Sequence, residues 1–252
     1  MIARVIVTAA TAPMAREPRV SEPQISQCVY GHALELLEER GEWRRVRGAD
    51  DYEGWVHRGY VMPYDGAAVE ARRTSLGCVV RDVRGRRRPL PLGALLDPAD
   101  QLMEGDAVAP DEMRRRFPRD AGAVAVTARD RFEGTPYEWG GVTPWGADCS
   151  GLVQTSFALH GVVLPRDAWQ QAARGTAVGA PPGALASGDL LFFSDRPDHR
   201  ITHVAIALGE GRIVHLALGR GGWAVERLDD TRDPYVVALR ERYLFARRIA
   251  LD

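Results

Sequence analysis

Gly146-Ala147-Asp148-Cys149-Ser150-Gly151-Leu152-Val153 is the stretch that decides how the C-terminal half of the chain is read. After it, Leu152, Val153, Phe157 and Leu159 follow at roughly helical spacing, and Gly161 stops the run. Cys149 therefore stands at a helix start. The positive end of the helix dipole there favours a thiolate and lowers the pKa of the thiol. Gly146 and Gly151 let the backbone approach a substrate closely. On position alone, a buried cysteine at a helix cap is an equal alternative, and Asp148 is equally a turn or cap residue.

A thiolate nucleophile needs a base and a group that orients the base. The chain has six histidines and no Asn, so the orienting group is not Asn. His203 opens the strand His203-Val204-Ala205-Ile206-Ala207-Leu208, and alternation sets it on the face of Ala205 and Ala207. His215, in Ile213-Val214-His215-Leu216, faces away from Val214 and Leu216. The short turn Gly209-Glu210-Gly211 makes the two strands antiparallel neighbours and can bring both imidazoles to one face. His215 is then the natural third member. His199, His203 and His215 as zinc ligands fit poorly, because His199 and His203 lie in loop and strand and need not share a face. His199 reads as a loop residue between Asp198 and Arg200, and His32, His57 and His160 show no partners.

Ahead of this segment, residues 121–132 read as an Ala- and Val-rich helix, and residues 190–193 as an apolar strand. Helices followed by strands give an α+β order. The first 65 residues read as β, with runs at 28–30, 33–37, 43–46 and 54–57 separated by Gly- and Asp-rich turns. Residues 2–12 read as an ordinary first strand and not as a secretory signal, which predicts a cytoplasmic protein. Residues 66–118 hold short apolar runs around a charged turn at 85–88, and predict a second, degenerate barrel.

The chain has 252 residues, 45% apolar and 27% charged, enough to bury a sizeable core. Its formal net charge is −1, with no Lys, and both halves are balanced, which argues against nucleic-acid and polybasic membrane partners. No apolar run approaches the ~20 residues of a membrane span. Three cysteines do not make a disulfide scaffold, and Cys28 and Cys78 read as buried small hydrophobes. The Arg runs at 86–88 and 114–116 read as solvated faces.

Five blocks together resemble the NlpC/P60 family of papain-like cysteine peptidases. They are Pro136-Tyr137-Glu138-Trp139-Gly140-Gly141, Asp148-Cys149-Ser150-Gly151-Leu152-Val153, Gly188-Asp189-Leu190-Leu191-Phe192-Phe193, Thr202-His203-Val204-Ala205-Ile206 and Val214-His215, in the family's order. Residues 3–62, with Gln24, Gln27, Gly31, Trp43 and Tyr52-Glu53-Gly54-Trp55-Val56, resemble a bacterial SH3 (SH3b) domain. The implied architecture is an SH3b domain at 1–65, a degenerate SH3b-like domain at 66–120 and a papain-like α+β catalytic domain at 121–252.

The resemblance implies Cys149 as nucleophile, His203 as general base, His215 as orienting residue and Tyr137 as oxyanion support. It implies Asp148, Ser150, Trp139 and Tyr52 as substrate contacts, and neither metal nor organic cofactor. SH3b domains ahead of such a domain are similar to γ-D-glutamyl-L-diamino-acid endopeptidases. The implied substrates are murein tri- and tetrapeptides with free N-terminal L-Ala, cut before meso-diaminopimelate or Lys in cell-wall peptide recycling, with no obligate protein partner. Where that subgroup carries a glutamate, this chain has Ile25, with Glu22 out of register; the departure leaves amine recognition open, with Asp148 as the alternative source of negative charge. A same-fold amidase, acyltransferase or thioesterase, a non-catalytic wall-peptide binder and a secreted autolysin are the competing readings.

Overall fold

Short apolar runs broken by glycine and charged turns build a mainly β unit over Met1–Arg116, and a separate α+β unit follows over Phe117–Asp252. The computed structural model describes residues 3–66 and 72–251. In the first unit, β1 (Arg4–Val7), β2 (Thr11–Ala15), β3 (Gln24–Val29), β4 (Ala33–Arg40), β5 (Trp43–Arg47), β6 (Glu53–His57) and β7 (Val61–Tyr64) form one antiparallel sheet, ordered β3-β2-β6-β5-β4-β1-β7. The expected first strand is thus two strands, divided at residues 8–10. Val5, Val7, Ala12, Met14, Cys28, Leu34, Val46 and Val56 form its core, on which Ile25 and Tyr52 pack.

Within residues 66–120, β8 (Thr74–Arg81), β9 (Arg87–Leu95) and β10 (Gln101–Val108) form a three-stranded antiparallel sheet, followed by α1 (Pro110–Arg116). Residues 67–71 of this expected domain lie outside the described residues. The three strands join the first sheet in one unit, and that unit ends at Arg116. The Leu95 amide donates to the Tyr30 carbonyl at 2.8 Å. Gly31 has φ +78°, and a Cβ there would stand 1.9 Å from the Leu95 oxygen, so only glycine fits where the sheets meet. Arg88 is not the solvated charge expected: it stacks on Tyr30 at 5.5 Å and donates to Asp82 and to the Thr8 carbonyl, both at 3.0 Å.

The second unit opens with α2 (Ala121–Arg131), whose first turn is capped by Asp120 accepting from the Ala123 amide at 2.8 Å. It continues through β11 (Val142–Thr143), β12 (Gly146–Ala147), α3 (Cys149–Leu159), α4 (Ala168–Gln171), β13 (Thr176–Val178), β14 (Leu190–Phe193), β15 (His203–Gly209), β16 (Arg212–Ala217), β17 (Gly222–Arg227), α5 (Pro234–Glu241) and β18 (Tyr243–Arg248). The main sheet is antiparallel, ordered β13-β18-β14-β15-β16-β17. β14 is buried at all four positions, which is why it reads as continuous apolar sequence and not as alternation. Leu191, Phe193, Ala205, Ala207 and Ile213 pack with Leu239 of α5. Asp189, in the Gly188-Asp189 block, is buried and takes a two-pronged contact from Arg248 at 2.7 and 2.9 Å. Among the described residues, no helix is long and apolar enough to cross a membrane.

Candidate active site

The first turn of α3 is built around one buried ion pair. Asp148 is the N-cap, and its Oδ1 accepts from the Gly151 amide at 2.8 Å. Its Oδ2 accepts from the Gly140 amide at 2.8 Å. Arg166, only 1% exposed, reaches both oxygens, with Nη1 at 3.0 Å and Nη2 at 2.7 Å. Arg166 Nη1 also donates to Ser150 Oγ at 2.8 Å, and Gln171 Nε2 donates to the Ser150 carbonyl at 3.0 Å. The sequence predicts substrate contacts for Asp148 and Ser150. The structure places both in this network, with Arg166 neutralising the charge that Asp148 was expected to offer an amine. Sequence reasoning misses Arg166, which follows Asp148 by 18 positions.

The flanking glycines serve the chain itself. A Cβ at Gly151 would lie 2.0 Å from the Gly141 carbonyl oxygen, and one at Gly146 would lie 2.0 Å from Glu138 Oε2. At both positions the place a side chain would take is occupied by the preceding loop.

Burial pushes the Cys149 thiol up to about 12, and the Asp148 charge adds to the shift. Amide hydrogen bonds from Val204 and Ser150 and the Arg166 charge oppose it without overcoming it. The dipole argument thus loses to desolvation. A helix terminus is worth about 0.3–2 kcal/mol, against 1.36 kcal/mol for each pKa unit. The Val204 amide places the sulfur beside the start of β15, where His203 lies. Because the thiol is raised, thiolate accumulates only in alkaline solution. Iodoacetamide alkylation of Cys149, followed by peptide mass mapping, should climb without a plateau through about pH 9. A plateau below about pH 8 would instead reveal a thiolate–imidazolium pair.

His203 and His215 come together as the alternation predicts. His203 Nε2 lies 2.9 Å from His215 Nδ1, with the rings edge to face at 5.0 Å. Burial, with the charges of His215 and Arg242, pushes His203 well below the usual histidine range, so it rests as a neutral base. His215 is fully buried. Its Nε2 faces Glu226 Oε1 of β17 at 3.7 Å. Arg220 donates to both Glu226 oxygens, at 2.6 and 3.1 Å, and also pairs with Asp233. Burial alone would raise Glu226, but His215 and Arg220 hold it below the usual carboxylate range. Glu226 is the second residue that sequence reasoning misses.

Tyr137 bridges to Ala147, two residues before the thiol. Its phenol is pushed up by burial first and then by the fields of Cys149 and Asp148, so it stays a neutral donor near the sulfur. Trp139 is 66% exposed beside Gly140. Tyr52 lies within the first unit, on the apolar core of its barrel. The remaining histidines have structural or surface places. His32 contacts the Gly93 carbonyl, His57 accepts from the Gly59 amide, His160 contacts Thr127 and the Pro118 carbonyl, and His199 is exposed. All three cysteines are free.

A thiol at a helix start, against paired imidazoles on a neighbouring sheet, makes this unit a cysteine hydrolase of papain-like build. Residues 134–238 match the NlpC/P60 family and residues 14–59 match the bacterial dipeptidyl-peptidase Sh3 domain, so the chain carries an NlpC/P60 cysteine-peptidase domain behind a bacterial SH3 domain. The chain is 28% identical to dipeptidyl-peptidase 6 of Lysinibacillus sphaericus, over 91% of this chain and 93% of that one. It is 36% identical to the gamma-D-glutamyl-L-lysine dipeptidyl-peptidase of Bacillus cereus, over 39% of this chain and 29% of that protein. The crystal structure of an NlpC/P60 family protein from Bacillus cereus superposes with a TM-score of 0.76 over 97% of this chain and 99% of that one, at 18% identity, which speaks to the fold alone.

Proposed function

We propose that the protein is a cysteine endopeptidase that hydrolyses the γ-D-glutamyl–L-diamino acid bond of murein-derived peptides. The observation that carries this is the 2.9 Å contact between His203 and His215 beside the helix that begins at Cys149. The names of the gamma-D-glutamyl-L-lysine and dipeptidyl-peptidase relatives support the choice of bond.

His203 Nε2 is taken up by His215, so Nδ1 is the nitrogen left to accept the thiol proton. As it does, the sulfur attacks the γ-carbonyl carbon of D-Glu and the carbonyl π pair moves to oxygen. Amides at the start of α3 and the Tyr137 hydroxyl stabilise that oxyanion. The C–N bond then breaks, and His203 Nδ1 gives its proton to the leaving amine. The resulting thioester is attacked by water, whose proton passes through His203 to the departing sulfur.

The substrates we assign are soluble tri- and tetrapeptides of the recycling pool, with L-Ala-γ-D-Glu as one product. The match of Tyr52 to the SH3b tyrosine supports a preference for free L-Ala. Incubating the protein with L-Ala-γ-D-Glu-meso-diaminopimelate, its Lys counterpart, their N-acetylated forms and intact sacculi, with mass spectrometry of the products, tests each part. Release of L-Ala-D-Glu from free-amine peptides alone supports the full proposal. Cleavage of acetylated peptides as well removes the amine requirement. Release from sacculi removes the recycling role. Turnover of simple acyl esters with no peptide cleavage would make the protein an acyl-transfer enzyme instead.

A further inference from the structure

We propose that Glu226 is a positioning residue: its buried carboxylate keeps the His215 proton on Nε2, so that His203 carries its own proton on Nε2 and presents an unprotonated Nδ1 to the thiol. The proposal rests on the assignment of His203 as the base for Cys149. Only one proton fits between His203 Nε2 and His215 Nδ1 at 2.9 Å, so the neutral pair has two arrangements. In the first, His203 donates and His215 carries N–H at Nε2. In the second, His215 donates from Nδ1, its Nε2 is a bare lone pair, and the remaining His203 proton sits on Nδ1, where it blocks acceptance of the thiol proton.

The surroundings of His215 choose between them. Its Nε2 is buried and makes no hydrogen bond, and Glu226 Oε1 faces it at 3.7 Å. An N–H aimed at a carboxylate is attracted, whereas a lone pair aimed at one is repelled, and low polarity strengthens both effects. The other groups around the pair do not compete for that nitrogen. Tyr235 of α5 meets the His215 ring edge to face at 6.1 Å, and Arg242 acts on His203. Glu226 cannot swing away, because Arg220 holds both of its oxygens while itself pairing with Asp233 and stacking on Tyr235 at 4.3 Å. The orienting histidine is thus itself oriented, as outer carboxylates orient metal-bound imidazoles.

Long-range proton–nitrogen NMR of histidine-labelled protein reads the tautomers directly, with no substrate present. Wild type should show Nε2–H for both His203 and His215. Glu226→Gln can turn its amide N–H toward His215 Nε2, so His215 should shift toward Nδ1–H. Peptide turnover should then fall about 10–100-fold with KM nearly unchanged, and alkylation of Cys149 near neutral pH should slow alongside it. Glu226→Asp keeps the charge and should restore the wild-type tautomer. An Nδ1–H tautomer at His215 in wild type would overturn the proposal without any variant. So would loss of activity in Glu226→Gln with tautomers unchanged. If tautomers and alkylation respond as described while no murein peptide is cleaved, the substrate assignment fails and the positioning role of Glu226 stands.

Discussion

Arg166→Met is expected to cost about 3–5 kcal/mol of stability, as removal of one partner from a buried ion pair does, and to disorder the surroundings of Cys149. Met fills much of the volume of the Arg stem, so the loss comes from the guanidinium. Without it, Asp148 keeps the Gly140 and Gly151 amides and the Ser150 hydroxyl at 3.2 Å, all neutral donors, for a carboxylate that is 5% exposed, and Ser150 Oγ loses its own donor at 2.8 Å. Domains are stable by about 5–15 kcal/mol, so the expected change is a large share of the total. Cys149 is the only cysteine after residue 78, so its protection from alkylation in a denaturant series reports the C-terminal unit separately from the β unit. Adding Asp148→Asn should recover part of the loss, because Asn still caps α3 and leaves no buried charge. A single-variant cost below about 1 kcal/mol, with no recovery in the pair, would mean that the ion pair does not hold this turn.

The pair also bears on what a sequence can show. Cys149, His203 and His215 are legible because their chemistry is rare in the chain and their neighbours alternate: β14 and the openings of β15 and β16 fall where apolar pattern and Gly turns place them. Arg166 and Glu226 are not legible. Among 33 Arg and 34 acidic residues, neither differs in pattern from a solvated charge, and the partners lie 18 and 11 positions away. Only the fold removes water from them. Arg88 is the same case, pulled from a charged run onto Tyr30 by the meeting of two sheets. β17 escapes as well, since Gly222–Arg227 exposes Val225 and buries Glu226, the reverse of the polarity that marks a strand face. The sign of the Cys149 shift fails for a related reason. The dipole is a local property that a helix start announces, but desolvation depends on what the rest of the unit lays over the thiol.

That burial makes Cys149→Ala a clean separation of chemistry from folding. The expected result is loss of at least about 10⁴ in kcat/KM toward murein peptides, in line with removal of other activated nucleophiles, and little change in thermal stability. Alanine is a good helix former, and the Asp148 cap, the Arg166 fork and the Gly151 approach make no use of the sulfur beyond the Ser150 and Val204 amides. Removing a raised thiol also removes no charge at neutral pH, so the charges that act on His203, those of His215 and Arg242, stay as they were. Cys149→Ser should lose nearly as much activity, since a hydroxyl gives up its proton to neutral His203 far less readily than a thiol does. Circular dichroism melts and product analysis by mass spectrometry, run on the same preparations, measure both quantities. Should the alanine variant melt like wild type yet keep more than about one hundredth of its turnover, the attacking group is not Cys149 and the covalent mechanism falls. Should it unfold instead, the sulfur's two amide contacts matter more to the α3–β15 junction than their number suggests, and the serine variant, which keeps an acceptor there, should restore the fold but not the turnover.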